Sequence, residues 1–301
     1  MNRMLFLTIV VLLTIVAILY NYGTKATSIE KANIDSMQLK ENEQQYMKEL
    51  KTVPIHSSQH TVDLSIKGEK LYVTYDSGEE WLEVPKELKK IQAGEYQASD
   101  KNGMMKKSYY LSEENTSFLY VDHGLGIIQT VDKGKSWQEY KITSESIGLR
   151  FRKIDFLTKN FGYVIFSSGR VVRQESTEVY LTTDGGKNWK ETANTGNTHL
   201  VQAGGFIDEK TGFVSFGQSP NLYVTQYSGA SWHVATIQVP DKYKDIFLIA
   251  ETPKKENDQL TVLLNQGEVG DYLGGFVKGK FVSSDNGMTW TFEGEVESDN
   301  D

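Results

Sequence analysis

The chain has 301 residues, of which 40 are acidic and 32 are Lys or Arg, and its formal net charge is −8. This acidic balance argues against nucleic acid or anionic lipid as the main partner. Because the chain has no cysteine, a disulfide framework and a lipid-modified cysteine anchor are both excluded.

The first predicted element is an apolar helix at the N-terminus. Residues 4–20 read MLFLTIVVLLTIVAILY, an uncharged segment that as a helix would be about 25 Å long, at the short end for spanning a bilayer. Arg3 precedes it, which favours an N-terminus that stays in the cytoplasm. We therefore expect a signal anchor over residues 1–22, with the rest of the chain on the outer side of the cell membrane. A cleaved signal peptide, and hence secretion, is the alternative, although no clear cleavage site follows.

Polar segments flank the rest of the chain. Residues 23–54 include a capping pair, Thr27 and Glu30, and end at Pro54, which predicts a helical stalk or linker. Residues 296–301 read VESDND and form an acidic tail with no predicted role.

An eight-residue pattern recurs five times between these ends. The copies read TYDSGEEW (74–81), TVDKGKSW (130–137), TTDGGKNW (182–189), TQYSGASW (225–232) and SSDNGMTW (283–290). Each follows an alternating run of β-branched and aromatic residues, which predicts a strand. The Asp-x-Gly then reverses the chain, and the Trp begins a second strand in which its ring can be buried. Each octad is therefore predicted to be a hairpin, with Tyr227 replacing the Asp in the fourth copy along the chain.

The hydroxyl, Asp, Gly and Trp positions of the octads are the predicted structural residues. They are Thr74, Asp76, Gly78, Trp81, Thr130, Asp132, Gly134, Trp137, Thr182, Asp184, Gly186, Trp189, Thr225, Gly229, Trp232, Ser283, Asp285, Gly287 and Trp290. A catalytic role for the four Asp residues is the competing interpretation. It is disfavoured because a reaction needs a catalytic acid once, not four times in a repeated turn.

The octad pattern, [ST]-x-D-x-G-x-x-W, resembles the Asp-box or BNR repeat over about residues 60–295. Sialidases, sortilin-type receptors and photosystem II assembly-factor propellers share this repeat. The resemblance implies an all-β fold, a β-propeller in which each box joins the third and fourth strands of a blade. Five boxes predict five blades within residues 55–295, and a six-bladed ring with one boxless blade is the alternative.

A second repeat supports this assignment. FLTKNFGYVIF at 156–166 aligns with FIDEKTGFVSF at 206–216, and both predict a strand, a turn and a strand. This would be the first hairpin of a blade, ahead of its Asp-box hairpin. Such a hairpin resembles the assembly-factor propellers more than the sialidases.

The placement of arginine disfavours sialidase activity. Sialidases bind the substrate carboxylate with three Arg residues from different blades, whereas every Arg beyond Arg3 falls in one predicted blade. The sequence also has no nucleophile elbow, no phosphate-binding glycine loop and no convincing metal-ligand spacing. We therefore predict no catalytic residue, no metal and no cofactor. Hydrolysis by scattered carboxylates such as Glu268 and Asp271 stays open.

The arginines form a candidate patch for an anion or a partner protein. They are Arg150, Arg152, Arg170 and Arg173. The alternative is that these side chains balance Glu175 and Glu178 and stay solvated.

Two functions from different classes fit these features. The first is a membrane-anchored, extracytoplasmic interaction scaffold, an accessory or assembly factor for another envelope protein. The second is a divergent carbohydrate-binding protein or glycosidase of the BNR-repeat type. Arginines confined to one blade and the assembly-factor-like hairpins favour the first function.

Overall fold

The computed structural model describes residues 61–94, 104, 107–144, 150–171, 174–217 and 219–297, without the side chains of residues 169–171. The chain divides into Met1–Ser57 and Ser58–Asp301, and all described residues belong to the second unit. The predicted signal anchor, the predicted stalk and the last four residues of the tail lie outside the described residues. Within the described ranges, no helix is both long and apolar enough to cross a membrane.

The described chain is almost entirely β-structure, in sheets that follow one another along the sequence. Sheet 1 contains β1 (Asp63–Lys67), β2 (Lys70–Thr74) and β3 (Leu82–Glu83). Sheet 2 contains β4 (Tyr109–Leu111), β5 (Thr116–Val121), β6 (Leu125–Thr130) and β7 (Gln138–Thr143). Sheet 3 contains β8 (Arg152–Phe156), β9 (Gly162–Val171), β10 (Gln174–Thr182) and β11 (Lys190–Glu191). Sheet 4 contains β12 (Val201–Phe206), β13 (Gly212–Phe216), β14 (Asn221–Thr225) and β15 (His233–Val234). In all four sheets, each strand pairs antiparallel with the next.

Sheet 5 departs from this plan at its outer edge. Its strands are β16 (Thr236–Gln238), β17 (Ile249–Ala250), β18 (Lys254–Glu256), β19 (Gln259–Asn265), β20 (Val277–Ser283) and β21 (Thr289–Glu297). β16 pairs parallel with β21, so the segment that leaves sheet 4 adds a strand to the edge of sheet 5. The described helices are short: α1 (Leu88–Ile91) and the 3-10 helices Asp241–Tyr243 and Tyr272–Gly275.

The second sequence repeat has a packing origin. Phe156 pairs across the first hairpin of sheet 3 with Gly162, and Phe206 pairs with Gly212 in sheet 4. A Cβ atom on either glycine would lie 2.5 Å from the ring of its partner. The ring therefore covers the glycine directly, which explains why an aromatic residue precedes a glycine by six positions in both copies.

Successive sheets pack on one another through separate hydrophobic clusters. In β5, Phe118 belongs to the cluster between sheets 1 and 2, whereas Leu119 belongs to the cluster between sheets 2 and 3. The same strand is thus buried on both sides, as alternation of side chains across a strand requires. Two further clusters join sheets 3 and 4 and sheets 4 and 5. The predicted all-β fold is confirmed, and sheets stacked in chain order are consistent with a β-propeller.

The two ends of the sheets carry different connections. The Gly185 N–H donates to the Asn160 carbonyl (2.8 Å), and the Ser228 N–H donates to the Lys210 carbonyl (2.9 Å). In sheets 3 and 4, the octad turn therefore lies beside the turn of the first hairpin. We call this end the box face. Connections between the second and third strands, including loop 266–276, lie at the opposite end, which we call the loop face.

Candidate functional site

The polar side chains of the octads form hydrogen bonds within the octad turn itself. In sheet 3, the Thr182 hydroxyl donates to Asp184 Oδ1 (2.8 Å) and accepts from the Gly186 N–H (2.9 Å). The same Asp184 oxygen accepts from the Asn188 N–H (2.9 Å). Gly185 and Gly186 adopt φ values of 76° and 94°, which glycine tolerates without strain. The other three octads that carry an Asp repeat these bonds.

The bonding pattern also accounts for the charge of the octad carboxylates. Hydrogen bonds from the Ser136 hydroxyl and N–H, and then from the Thr130 hydroxyl, lower the pKa of Asp132 to about 2. The side chain and N–H of Asn188 lower the pKa of Asp184 in the same way. These carboxylates stay ionised and accept turn donors, so they fit a structural role and do not fit a general acid.

Each octad Trp from the second octad onward packs against the preceding sheet. Trp137, Trp189, Trp232 and Trp290 join the clusters between sheets 1 and 2, 2 and 3, 3 and 4, and 4 and 5, respectively. These four rings therefore lie between neighbouring sheets. Trp290 is fully buried, whereas the others are half-buried.

The degenerate octad forms its turn without a carboxylate. The Thr225 hydroxyl accepts from the Gly229 N–H (3.0 Å) and from the Tyr227 N–H (3.2 Å). The Tyr227 side chain, which replaces the Asp, is 65% exposed. Tyr227 therefore has no packing role in the core that could explain the substitution.

Two of the predicted patch arginines are structural cross-links. Arg150 binds Glu175 through two hydrogen bonds (2.6 and 3.0 Å) and also donates to the Val201 carbonyl, thereby joining sheets 3 and 4. Arg152 is 1% exposed and donates to the Ile91 carbonyl at the end of α1. The structure thus does not bring these two side chains to an open patch. Glu175 does pair with Arg150 but is buried, where the alternative interpretation had expected a solvated pair.

Arg170 and Arg173 are the other two arginines of the predicted patch. The Arg170 side chain and all of Arg173 lie outside the described residues. A contact role for these two stays a prediction.

A cavity of about 980 Å³ is lined by one strand from each of sheets 3, 4 and 5. β8, β12 and β17 supply its walls, together with residues 251–255 and the start of loop 266–276. Concave sites at the meeting point of several elements are the usual place for ligand binding. This cavity is the candidate functional site.

Lys153 is a buried lysine in the cavity wall. Its side chain is 7% exposed, and its Nζ donates to the Gly204 carbonyl (2.7 Å). Burial, followed by repulsion from the Lys107 ammonium, lowers the pKa of Lys153 to about 8, although Asp155 opposes the shift. Lys153 therefore titrates close to physiological pH, which is typical of functional lysines.

The carboxylate beside Lys153 is held by other donors. The Tyr163 hydroxyl donates to Asp155 Oδ2 (3.1 Å), and the Phe156 N–H donates to Oδ1 (2.9 Å). Burial, and then the charge of Asp155, raise the pKa of Tyr163. Tyr163 consequently stays protonated and keeps its hydrogen bond to the carboxylate.

The remaining cavity charges are not evenly matched. Glu251 is paired with Lys278 (2.8 Å) and accepts from the Asn265 amide (3.2 Å). Within the described ranges, neither Lys107 nor Lys254 has a carboxylate within the 4 Å of an ion pair. Among the residues described, the cavity wall therefore contains lysines without a direct ion pair, together with the carboxylates of Asp155 and Glu268.

Loop 266–276 displays apolar side chains next to the cavity. Val269, Leu273 and Phe276 are 93%, 60% and 61% exposed. The loop is nevertheless ordered, because the 5% exposed Gln266 donates to the Tyr272 and Val277 carbonyls (3.0 and 2.8 Å). Exposed apolar groups on an ordered loop are typical of a protein contact surface.

The aromatic side chains of the cavity wall are buried. The aromatic rings of the wall, Tyr163 and Phe206, are 1% and 4% exposed and so present no open stacking platform for a sugar. Across the described ranges, no group of three or more His, Asp or Glu could hold a metal ion.

The cavity was not predicted from the sequence. A signal was present, because β8 reads RKIDF and thus places three charged residues in an inner strand that would normally be apolar.

Comparison with known families confirms the resemblance inferred from the octads. The family model described as Sortilin, neurotensin receptor 3 (Sortilin-Vps10) matches residues 69–204. Comparison with curated proteins finds no match.

Solved structures similar to this chain include GH74 enzymes and YCF48 proteins. An ancestral GH74 enzyme is 14% identical, with a TM-score of 0.47 over 79% of this chain and 30% of its own. The structure described as YCF48 bound to D1 peptide is 13% identical, with a TM-score of 0.40 over 79% and 82% of the two chains. YCF48 from Cyanidioschyzon merolae is 15% identical, with a TM-score of 0.41 over 76% and 70%. This chain thus spans only 30% of the GH74 enzyme that it resembles.

Proposed function

We propose that this protein is a non-catalytic β-propeller scaffold that binds a protein partner through its loop face. The partner would contact loop 266–276 and the cavity beside it. The observation that carries the proposal is the ordered display of Val269, Leu273 and Phe276, which are all more than half exposed. Isolated exposed apolar residues are ordinary, but three on one braced loop beside a cavity indicate a contact site.

The octads support a scaffold in preference to an enzyme. Their four carboxylates are engaged in turns, and the depressed pKa of Asp132 and Asp184 keeps both residues ionised. The cavity likewise lacks open aromatic faces, which a glycan-binding site would use for stacking. The carbohydrate alternative therefore has no specific support from the described residues.

The proposed architecture has five blades, one for each sheet. Every sheet has its own octad, and four clusters join consecutive sheets. Sheet 1 has three strands, and its β1–β2 hairpin corresponds to the second and third strands of a blade, because its octad follows β2.

We further propose that residues 1–22 anchor the protein in the cell membrane with the propeller outside. Arg3 before the apolar segment 4–20 supports this orientation. Proteolysis of intact protoplasts tests it directly: the propeller should be degraded while cytoplasmic markers survive. Survival of the propeller under these conditions would rule out the outward topology.

Partner binding is tested by affinity purification of the full chain from its own membranes after crosslinking. A triple variant carrying Val269→Ser, Leu273→Ser and Phe276→Ser should lose the crosslinked partner, because all three side chains face solvent and their removal leaves the core intact. Tyr227→Ser, an exposed change on the box face, is the matched control and should retain the partner. Equal recovery from the wild type and the triple variant would contradict binding at the loop face.

A further inference from the structure

The cavity wall contains two neighbouring lysines, Lys107 and Lys153. The Gly204 carbonyl orients Lys153 Nζ from one side (2.7 Å). Lys107 lines the same cavity, and its charge is the second cause of the lowered pKa of Lys153. Two neighbouring ammonium groups, of which that of Lys153 is buried, repel each other, and a bound anion would relieve this repulsion.

Lys107 has a strained backbone conformation. Its φ is 71°, an uncommon conformation for a residue with a side chain. Its carbonyl accepts from the Ile154 N–H (2.8 Å), so the residue is fixed to β8 directly beside Lys153. A strained lysine fixed next to a buried lysine is a local feature that packing alone does not require.

In the described part of the chain, the nearby carboxylates form no direct ion pair with either lysine. Asp155 accepts hydrogen bonds from the Tyr163 hydroxyl and the Phe156 N–H, and its charge acts on Lys153 without a direct ion pair. Glu251 is paired with Lys278. Within the described ranges, neither lysine of the pair lies within 4 Å of a carboxylate.

We propose that Lys107 and Lys153 form a subsite that binds a carboxylate presented by an acidic segment of the partner protein. The inference rests on the proposed function and names the chemistry that this site would recognise. The volume of about 980 Å³ suits a chain segment better than an isolated ion. The Asp155, Glu251 and Glu268 side chains in the same walls disfavour a doubly charged phosphate more than a singly charged carboxylate.

Binding has a defined pH dependence. A carboxylate beside Lys153 favours the charged amine and therefore raises its pKa above about 8. Affinity should accordingly be full at pH 6–7 and fall as pH rises above about 8. The other charged or titratable groups in or beside the wall are Lys107, Asp155, Tyr163, Glu251, Lys254, Lys255 and Glu268.

The test uses the full chain in an uncharged detergent, with a short blocked peptide that carries one glutamate among glutamines as the probe. The matched poly-glutamine peptide and inorganic phosphate are the comparison probes. Lys107→Gln should weaken binding of the glutamate peptide by about tenfold, because a charge-assisted hydrogen bond is lost. Lys153→Met should do the same, and Lys210→Gln, an exposed change on the box face, should have no effect.

A spectroscopic readout separates binding from folding. NMR of isotopically methylated lysines should show the Lys153 pKa rising when the glutamate peptide is added and staying unchanged with the glutamine peptide. Lys107 is exposed, so Lys107→Gln remains informative even if Lys153→Met fails to fold.

Several results would overturn the subsite. They are equal affinity of the glutamate and glutamine peptides, unchanged affinity in Lys107→Gln, and phosphate binding as tightly as the glutamate peptide. A partner that is lost with the loop triple variant but retained by Lys107→Gln would reject the subsite while leaving the scaffold intact.

Discussion

Replacement of Trp290 by alanine provides a quantitative test of the packing between sheets. The indole ring is fully buried between sheets 4 and 5, 6.0 Å from the Phe213 ring centroid. Its Nε1 donates to the Gly287 carbonyl (2.9 Å). A buried Trp removes about 200 Å² from water, which at about 25 cal/mol per Å² gives about 5 kcal/mol as an upper value. Measured losses for Trp→Ala in protein cores are about 3–5 kcal/mol, so we expect a loss of about 4 kcal/mol.

The assay is urea unfolding of the full chain followed by Trp fluorescence and circular dichroism. Trp290→Phe keeps most of the ring but loses the hydrogen bond, and should cost about 1–2 kcal/mol. Trp189→Ala should cost about 3 kcal/mol, because that ring is only half-buried. Trp81 is half-buried and belongs to no cluster of the described core, so Trp81→Ala is the matched control and should cost least.

The ranking is the critical result. An unfolding midpoint of Trp290→Ala that equals that of the wild type would refute the assignment of the octad Trp residues to the interfaces between sheets. A larger loss for Trp81→Ala than for Trp290→Ala would refute it as well.

Three further predictions concern the octads and the arginine cross-link. Tyr227→Asp should be neutral or should raise the melting temperature, because it restores the carboxylate that accepts the Thr225 hydroxyl in a standard octad; marked destabilisation would count against that geometry. Asp132 has a pKa of about 2, below its unfolded value near 3.9, so its contribution to stability is complete above about pH 4 and is lost as pH falls towards 2. Asp132→Asn should flatten the acid limb of the stability profile, and an unchanged limb would contradict this account. Arg150→Met leaves Glu175, which is 3% exposed, without its cationic partner and should cost about 3–5 kcal/mol. Adding Glu175→Gln should restore much of this loss in thermal unfolding.

The repeats were readable from the sequence because each has a local cause. The hydroxyl and Asp of an octad bond within eight residues, and Phe156 covers Gly162 across a single hairpin. Local interactions of this kind produce a fixed spacing of residues in the sequence. The strands and turns could be predicted from that spacing.

The cavity was not predicted because its residues are distant in sequence. Lys153 contacts Gly204, which is 51 positions away, and the Thr252 hydroxyl donates to the same carbonyl (3.1 Å).

For Arg150 and Arg152, the arginine patch was predicted wrongly for a related reason. Arg150 and Arg152 are close in sequence and suggested one patch, yet they form contacts with different elements, sheet 4 and α1.

The most direct test of partner binding is site-specific photo-crosslinking in intact membranes. A photoreactive amino acid in place of Phe276 samples the loop face, and the same amino acid in place of Tyr227 samples the box face. Both positions are more than half exposed, so neither substitution disturbs the core. We predict a discrete crosslinked protein from position 276 and none from position 227. A crosslink from position 227 alone, or the same products from both positions, would contradict a partner-binding loop face.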